Sequence, residues 1–326
     1  MMIDQARAFG AQLREGLLAA RGQVADARPP RSVVLCGLGG SAAGGRIAVA
    51  LLEPRLTVPV VVAADAALPG WVDADTLVVV TSYSGETQES LAWFDAAAQR
   101  GARRVAIASG GTLIRVAAAA GVPAIVVRGG FAPRGALGLL LAALFVVLDE
   151  TGVAPGAIGL LEPAARAADL AHATRRDEAV AAAGRLAGRT VVLYGSGPRA
   201  AVAVRLKNQL NENAKAAAFA GAIPEIAHNE VLGWHHVARL ALPFRAVVLR
   251  DPADPEPLTG AITRLLAADA GGAEEWTGTG ASELERAFSL LAFGDMVSLD
   301  LAAVEGIDPD DIARLTGLKD LPVTGT

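Results

Sequence analysis

Cysteine is almost absent from this chain: Cys36 stands alone among 326 residues. One thiol excludes an intramolecular disulfide and a zinc cluster built on cysteines. It closes an apolar run, Ser32-Val33-Val34-Leu35-Cys36, which marks it as a buried, inert side chain. Aromatic residues make up only 4% of the chain, and the Ala- and Gly-rich remainder fits helices packed closely on sheets. No block of Lys or Arg occurs and the formal net charge is −5, so the charge pattern offers no nucleic-acid surface. Long hydrophobic runs are lacking as well. The longest, Ala136 to Leu148, is too short to cross a bilayer and ends in Asp149-Glu150, so it reads as a buried helix. The opening residues Met1-Met2-Ile3-Asp4-Gln5-Ala6-Arg7 hold no signal-peptide core. These absences point to a cytoplasmic protein without membrane or nucleic-acid partners.

What is present is an alternation of strand and helix. A chain of this length suits two domains with a sizeable core. After an opening helix near Asp4–Arg21, strands are predicted near Val33–Cys36, Val58–Ala63, Leu77–Thr81, Val105–Ala108 and Ala124–Val127. Helices are predicted near Ser41–Leu52, Thr87–Gln99, Thr112–Ala119 and Gly135–Asp149. Short β-branched runs between Ala-rich helices spell a parallel sheet covered on both faces, hence a doubly wound α/β domain. The stretch from Glu150 to Gly156, with Gly152 and Pro155, reads as a break, giving a first domain of 1–153 and a second of 154–326. The second half restarts with helices near Leu160–Ala171 and up to Leu186. A strand, Thr190–Tyr194, then meets Gly195-Ser196-Gly197 and a helix near Arg199–Leu210. Strands near Phe244–Leu249 and Glu275–Trp276, a long helix Glu283–Val304 and a short one Asp310–Leu318 complete it. The repeated strand, Gly/Ser turn and helix hint at two related halves.

Two turns carry most of the chemistry. Gly37-Leu38-Gly39-Gly40-Ser41 and Ser82-Tyr83-Ser84-Gly85-Glu86-Thr87 each follow an apolar strand and open a helix. Free backbone N–H groups and hydroxyls at a helix N-terminus make an anion site. The first turn also fits the loose dinucleotide pattern G-x-G-x-x-[GA], with Asp65 near the distance of a ribose carboxylate. Ser41 and the second, hydroxyl-rich turn have no role in such a site, and together they favour a sugar phosphate. An ordinary N-cap accounts for one of the hydroxyls of Ser82, Ser84 and Thr87, not for three. Glu86 is awkward beside a phosphate and is expected to point away from it, toward a helix N-terminus or solvent.

Further polar clusters stand out against the apolar background. Asn211-Glu212-Asn213-Ala214-Lys215 closes an otherwise apolar helix: it is either a general base flanked by amides or a solvated helix end. Pro224-Glu225-Ile226-Ala227-His228-Asn229-Glu230 precedes His235 and His236. Adjacent histidines do not face one ion easily and no H-x-x-x-H spacing occurs, so no metal is expected. His228 reads as an acid/base or as a capping residue. Arg134 follows the last strand of the first half, at the sheet edge where ligands bind, either to meet oxyanion charge or as a surface ion pair.

Taken together, the Gly-Gly-Ser turn at Gly39–Ser41, the Ser82–Thr87 turn, Asn211–Lys215 and Pro224–Glu230 resemble the bifunctional phosphoglucose/phosphomannose isomerases of the sugar-isomerase (SIS) family. The resemblance covers nearly the whole chain and implies two flavodoxin-like SIS subdomains. It implies interconversion of fructose 6-phosphate with glucose 6-phosphate, mannose 6-phosphate or both, without cofactor or metal. Ser82, Ser84 and Thr87 would hold the phosphate, with Gly39, Gly40 and Ser41 nearby. Glu212 would shuttle the proton between C1 and C2, Arg134 would stabilise the cis-enediolate, and His228 would assist ring opening from the partner subunit of a homodimer. Lys319 stands at a spacing similar to the family's C-terminal active-site lysine. The family often carries a different residue where Glu86 stands. A non-catalytic phosphosugar sensor, or another isomerase of the same fold, is the alternative.

Overall fold

The β-branched runs of the first half pair into one parallel sheet. The computed structural model describes residues 2–24, 28–64, 67–254, 256–269 and 272–314. It divides into two compact units, one of residues 7–167 and one of residues 2–6 together with those from 168 onward. Asp65 and Lys319 fall outside the described residues, as does the predicted helix at Asp310–Leu318 beyond Arg314. The opening stretch is two helices, α1 (Met2–Arg7) and α2 (Phe9–Ala20), rather than one. The chain turns at Ala8 between them, next to the point where it changes unit.

In the first unit β1 (Ser32–Cys36), β2 (Val60–Ala63), β3 (Thr76–Thr81), β4 (Arg103–Ala108) and β5 (Ala124–Val126) lie in the order β2-β1-β3-β4-β5, all parallel. This is the flavodoxin-like order, and its switch point falls between β1 and β3, where open α/β sheets bind ligands. The intervening helices are α3 (Gly40–Leu52), α4 (Gln88–Gln99), α5 (Gly111–Ala119) and α6 (Leu137–Glu150). One face of the sheet, with Val34, Cys36, Val78, Val80 and Ala106, buries Trp93 and Phe94 of α4 and Leu113 of α5. Burial also pushes the Cys36 thiol up to about 12, so it stays protonated and inert. α6 is buried from Leu137 to Leu148 and lies against α2 so closely that a Cβ at Gly16 would come within 2.5 Å of the Leu139 carbonyl oxygen.

The Gly- and Pro-bearing stretch near 150–156 lies inside this first unit. The Asp149 carboxylate accepts from the N–H groups of Gly156 and Ile158, and Val153 O accepts from Thr57 N, so the chain is stitched back onto α6 and the β2 side. The change of unit falls farther on, within α7 (Leu161–Thr174).

The second unit repeats the plan. After α8 (Arg176–Leu186) come β6 (Thr190–Ser196), α9 (Pro198–Asn213), β7 (Ala218–Ile223), α10 (Val231–Arg239), β8 (Phe244–Arg250), α11 (Glu256–Asp269), β9 (Ala273–Thr277) and α12 (Glu283–Val304). The sheet order is β7-β6-β8-β9, again parallel, which is the first sheet's order without a fifth strand. The turns that open α3 and α9 match in their backbone. Gly39 has φ 52°, ψ −120° and Gly197 has φ 52°, ψ −131°, a region closed to other residues. By length and composition α12 could cross a membrane, but 89% of its apolar window is buried inside the protein.

Candidate active site

Hydroxyls gather where β3 turns into α4. Ser82 is buried, and its Oγ accepts from Gly85 N (3.2 Å) and lies 3.0 Å from Thr87 Oγ1. Ser84 is exposed, and its Oγ accepts from Glu86 N at 3.3 Å. Thr87 occupies the N-cap position of α4 but makes no side-chain cap, because its hydroxyl is turned to Ser82. The orphan N–H groups that begin every helix therefore keep their dipole-aligned donors beside a cluster of hydroxyls. A simple helix cap does not explain the turn.

Gly85 lets the turn close on its neighbour. With φ +69°, a Cβ there would sit 2.0 Å from Gly110 O. That contact carries Glu86 across to α5, where its carboxylate accepts from Thr112 N (2.9 Å) and Thr112 Oγ1 (2.7 Å), with Arg115 3.9 Å away. The Thr112 hydroxyl bond, with the Thr112 N–H bond and Arg115, holds the Glu86 carboxyl below its ordinary value against the opposing effect of desolvation. The acid is spent on the N-terminus of α5, away from α4.

Sequence reasoning passed over Tyr83. Its side chain is buried, which pushes its pKa up. Its hydroxyl donates to Arg128 O (3.1 Å) and accepts from Phe131 N (2.9 Å), while its carbonyl accepts from the N–H and Oγ of Ser109. Tyr83 thereby fastens the hydroxyl turn to the loop after β5. That loop ends in a single 3-10 turn, Pro133–Gly135, holding Arg134 only 4% exposed. Burial removes the surface-ion-pair reading of Arg134. The first Gly-rich turn meets the same place: a Cβ at Gly40 would lie 3.3 Å from Pro133 O and 3.6 Å from Arg134 Cα. Gly39 is exposed at this edge, and Gly40 and Ser41 are half-buried.

The second unit carries the other candidates, and it separates them. Glu212 is half-buried near the end of α9. The flanking amides tie the helix end to its neighbours. Asn211 donates to Ala216 O and Ala218 O at the start of β7, and fully buried Asn213 donates to Ser298 Oγ of α12. The Lys215 ammonium donates to the Glu212 carbonyl oxygen (2.9 Å). His228 is exposed in the 3-10 turn Glu225–His228 beyond the opposite end of β7. The strand's six residues put about 20 Å between the two ends. The His228 turn is anchored through Glu230, which accepts from the Tyr194 hydroxyl, itself accepting from Trp234 Nε1 at 2.8 Å. Burial, then the Glu230 carboxylate, drives the Tyr194 pKa up. Among the described residues no group of His, Cys, Asp and Glu is placed to hold a metal ion.

The second sheet's own switch point is filled from within. Arg199, 5% exposed in the first turn of α9, donates to Asp254 Oδ1 (2.7 Å), which also accepts from Ser196 Oγ. Asp251 is held by Arg286 at 2.6 Å, and burial notwithstanding, that bond and the nearby Arg199 keep its carboxyl below the ordinary range.

Two flavodoxin-like sheets, the first with a hydroxyl-lined turn at its switch point, define a protein of the SIS class. Residues 28–120 match the SIS domain family, and residues 175–321 match the bacterial phospho-glucose isomerase C-terminal SIS domain. A bifunctional phosphoglucose/phosphomannose isomerase of Caldicellulosiruptor bescii is 33% identical over 298 residues, 88% of each chain. The one of Aquifex aeolicus is 34% identical over 301 residues, covering 90% of this chain and 91% of its own. Among solved structures, the tagatose-6-phosphate ketose/aldose isomerase of Escherichia coli superposes with a TM-score of 0.72 at 17% identity, over 99% of this chain and 97% of that one. The C-terminal domain of a glucosamine-fructose-6-phosphate aminotransferase from Francisella tularensis gives 0.73 at 15% identity, over 94% and 96%. These two share the fold. The chain belongs to the bifunctional phosphoglucose/phosphomannose isomerase family.

Proposed function

We propose that this isomerase interconverts fructose 6-phosphate with glucose 6-phosphate and mannose 6-phosphate in the cytoplasm, acting as a homodimer. The observation that carries this reading is the Ser82–Thr87 turn, where hydroxyls stand at a sheet switch point and none caps α4. A phosphate dianion is complementary to that turn. Ser82, Ser84 and Thr87 hold it with the first N–H groups of α4, and Gly39, Gly40 and Ser41 complete the cradle. Anchoring the phosphate remote from C1 and C2 lets its binding energy orient the reacting carbons.

His228 moves the proton that opens the ring. Glu212 takes the C2 proton and returns it to C1. A carbon acid this weak requires a fixed cation for its enediolate, which is the task of Arg134, worth about 3 kcal/mol by comparison with a lost oxyanion donor. Lys319 completes the set through family likeness. Proton shuttling between neighbouring carbons calls for no redox cofactor. Family likeness implies that each active site takes its histidine from a second copy, and the placement of Glu212 and His228 at opposite ends of β7 supports this reading.

Incubation with fructose 6-phosphate in deuterated water, followed by NMR, tests the reading. Glucose 6-phosphate and mannose 6-phosphate labelled at C2 are the expected products, and Glu212→Gln is expected to lower turnover at least about a hundredfold with the fold intact. Binding without turnover would make the protein a phosphosugar sensor instead.

A further inference from the structure

Lys215 takes no part in these proton transfers, yet the backbone bends around it. It follows the α9 C-cap Ala214 and has φ +53°, in the left-handed region that helix ends normally give to glycine or asparagine. A lysine is disfavoured there unless its side chain is needed. The three donors of its ammonium face three carbonyl oxygens: Glu212 at 2.9 Å, Asp308 at 2.8 Å and Pro309 at 3.5 Å. The first belongs to an orphan carbonyl at the end of α9. The other two belong to the chain that follows α12.

We propose that Lys215 is a positioning residue for the isomerisation: its ammonium clamps the peptide that carries Glu212 to the 308–309 segment and so fixes where the base carboxylate stands. The inference rests on the assignment of Glu212 as the base. Its neighbours support a clamp in three directions. Asn211 ties the helix end to the start of β7, and Asn213 ties it to α12 through Ser298. Lys215 supplies the third tie, to the segment that follows α12, and does so from an exposed position. A base held on three sides keeps its oxygen in line with C1 and C2 through both transfers, and loss of one tie widens its range of positions.

The test compares wild type, Lys215→Gly, Lys215→Asn, Lys215→Arg and Glu212→Gln. Each is assayed with glucose 6-phosphate bearing hydrogen or deuterium at C2, and its thermal unfolding is recorded. Gly and Asn both accept the left-handed backbone, so they remove the ammonium without adding strain. We expect kcat to fall between about ten- and a hundredfold in both, with KM changed less than about twofold. The deuterium isotope effect on kcat is expected to rise, because C–H cleavage becomes the slower step, and Lys215→Arg is expected to regain part of the rate. Unchanged kcat and isotope effect in either variant overturn the proposal. So does a rate loss that tracks a lowered unfolding midpoint at constant isotope effect, or failure of both variants to fold, since each makes Lys215 a plain structural cap. Wild-type turnover in Glu212→Gln is a different failure and removes the base itself.

Discussion

Glu86 illustrates how a carboxylate can lie in the Ser82–Thr87 turn without opposing an anion there. Its partners are the N–H and hydroxyl of Thr112, which lower its pKa in the folded protein. A folded value below the unfolded one stabilises the protein fully above the ordinary glutamate range, and that contribution is lost as pH falls through the depressed folded value. The stability difference between wild type and Glu86→Gln should therefore be largest near neutral pH and shrink in acid, as followed by denaturant midpoints across pH. The sequence left the orientation of Glu86 open, beyond the expectation that a carboxylate turns away from a phosphate. Its destination was not legible, since Thr112 reaches it through tertiary contact. Tyr83 escaped notice for the same reason. Its partners Arg128 and Phe131 are far away in the chain, and local spacing does not encode them. A tyrosine at a strand end whose ring must be buried, and whose hydroxyl then needs a partner, was the available signal.

At the scale of elements, the buried strands and the amphipathic helices of the first half were legible within a residue or two, because β-branched runs and Ala-rich segments alternate sharply. β7, α10 and α11 were not anticipated. β7 reads Ala218-Phe219-Ala220-Gly221-Ala222-Ile223, an edge strand with one β-branched residue and an exposed Phe219, so it lacks both the composition and the two-sided burial that mark its neighbours. Close helix contacts were equally hidden. Gly16 of α2 abuts the backbone of Leu139 in α6, an obstacle that cannot rotate away. Gly16→Ala should cost about 1–3 kcal/mol through forced separation of the two helices. Gly184 of α8 has open space around it, so Gly184→Ala should instead gain roughly 0.5–1 kcal/mol. Urea unfolding of the two variants checks both signs.

For the whole molecule, the doubled α/β plan was visible in the recurrence of strand, Gly/Ser turn and helix, and the matched backbones of Gly39 and Gly197 give it a structural basis. What sequence could not supply was the placement of Glu212 and His228 at opposite ends of one strand, since both belong to polar segments that simply follow one another. If each site draws on two copies, mixing inactive Glu212→Gln and His228→Ala chains should restore activity to about a quarter of wild type, because half the dimers are mixed and each carries one intact site. Activity that stays at zero after subunit exchange would place both residues in the same chain's site.

The knot of Arg199, Asp251 and Asp254 also bears on stoichiometry. A protein made of two like halves could be supposed to load two phosphate esters per polypeptide. Here the later half has turned its own acidic side chains into a permanent counterion for Arg199. If the Ser82–Thr87 turn holds the phosphate, titration with a phosphate ester is expected to saturate at one equivalent per polypeptide.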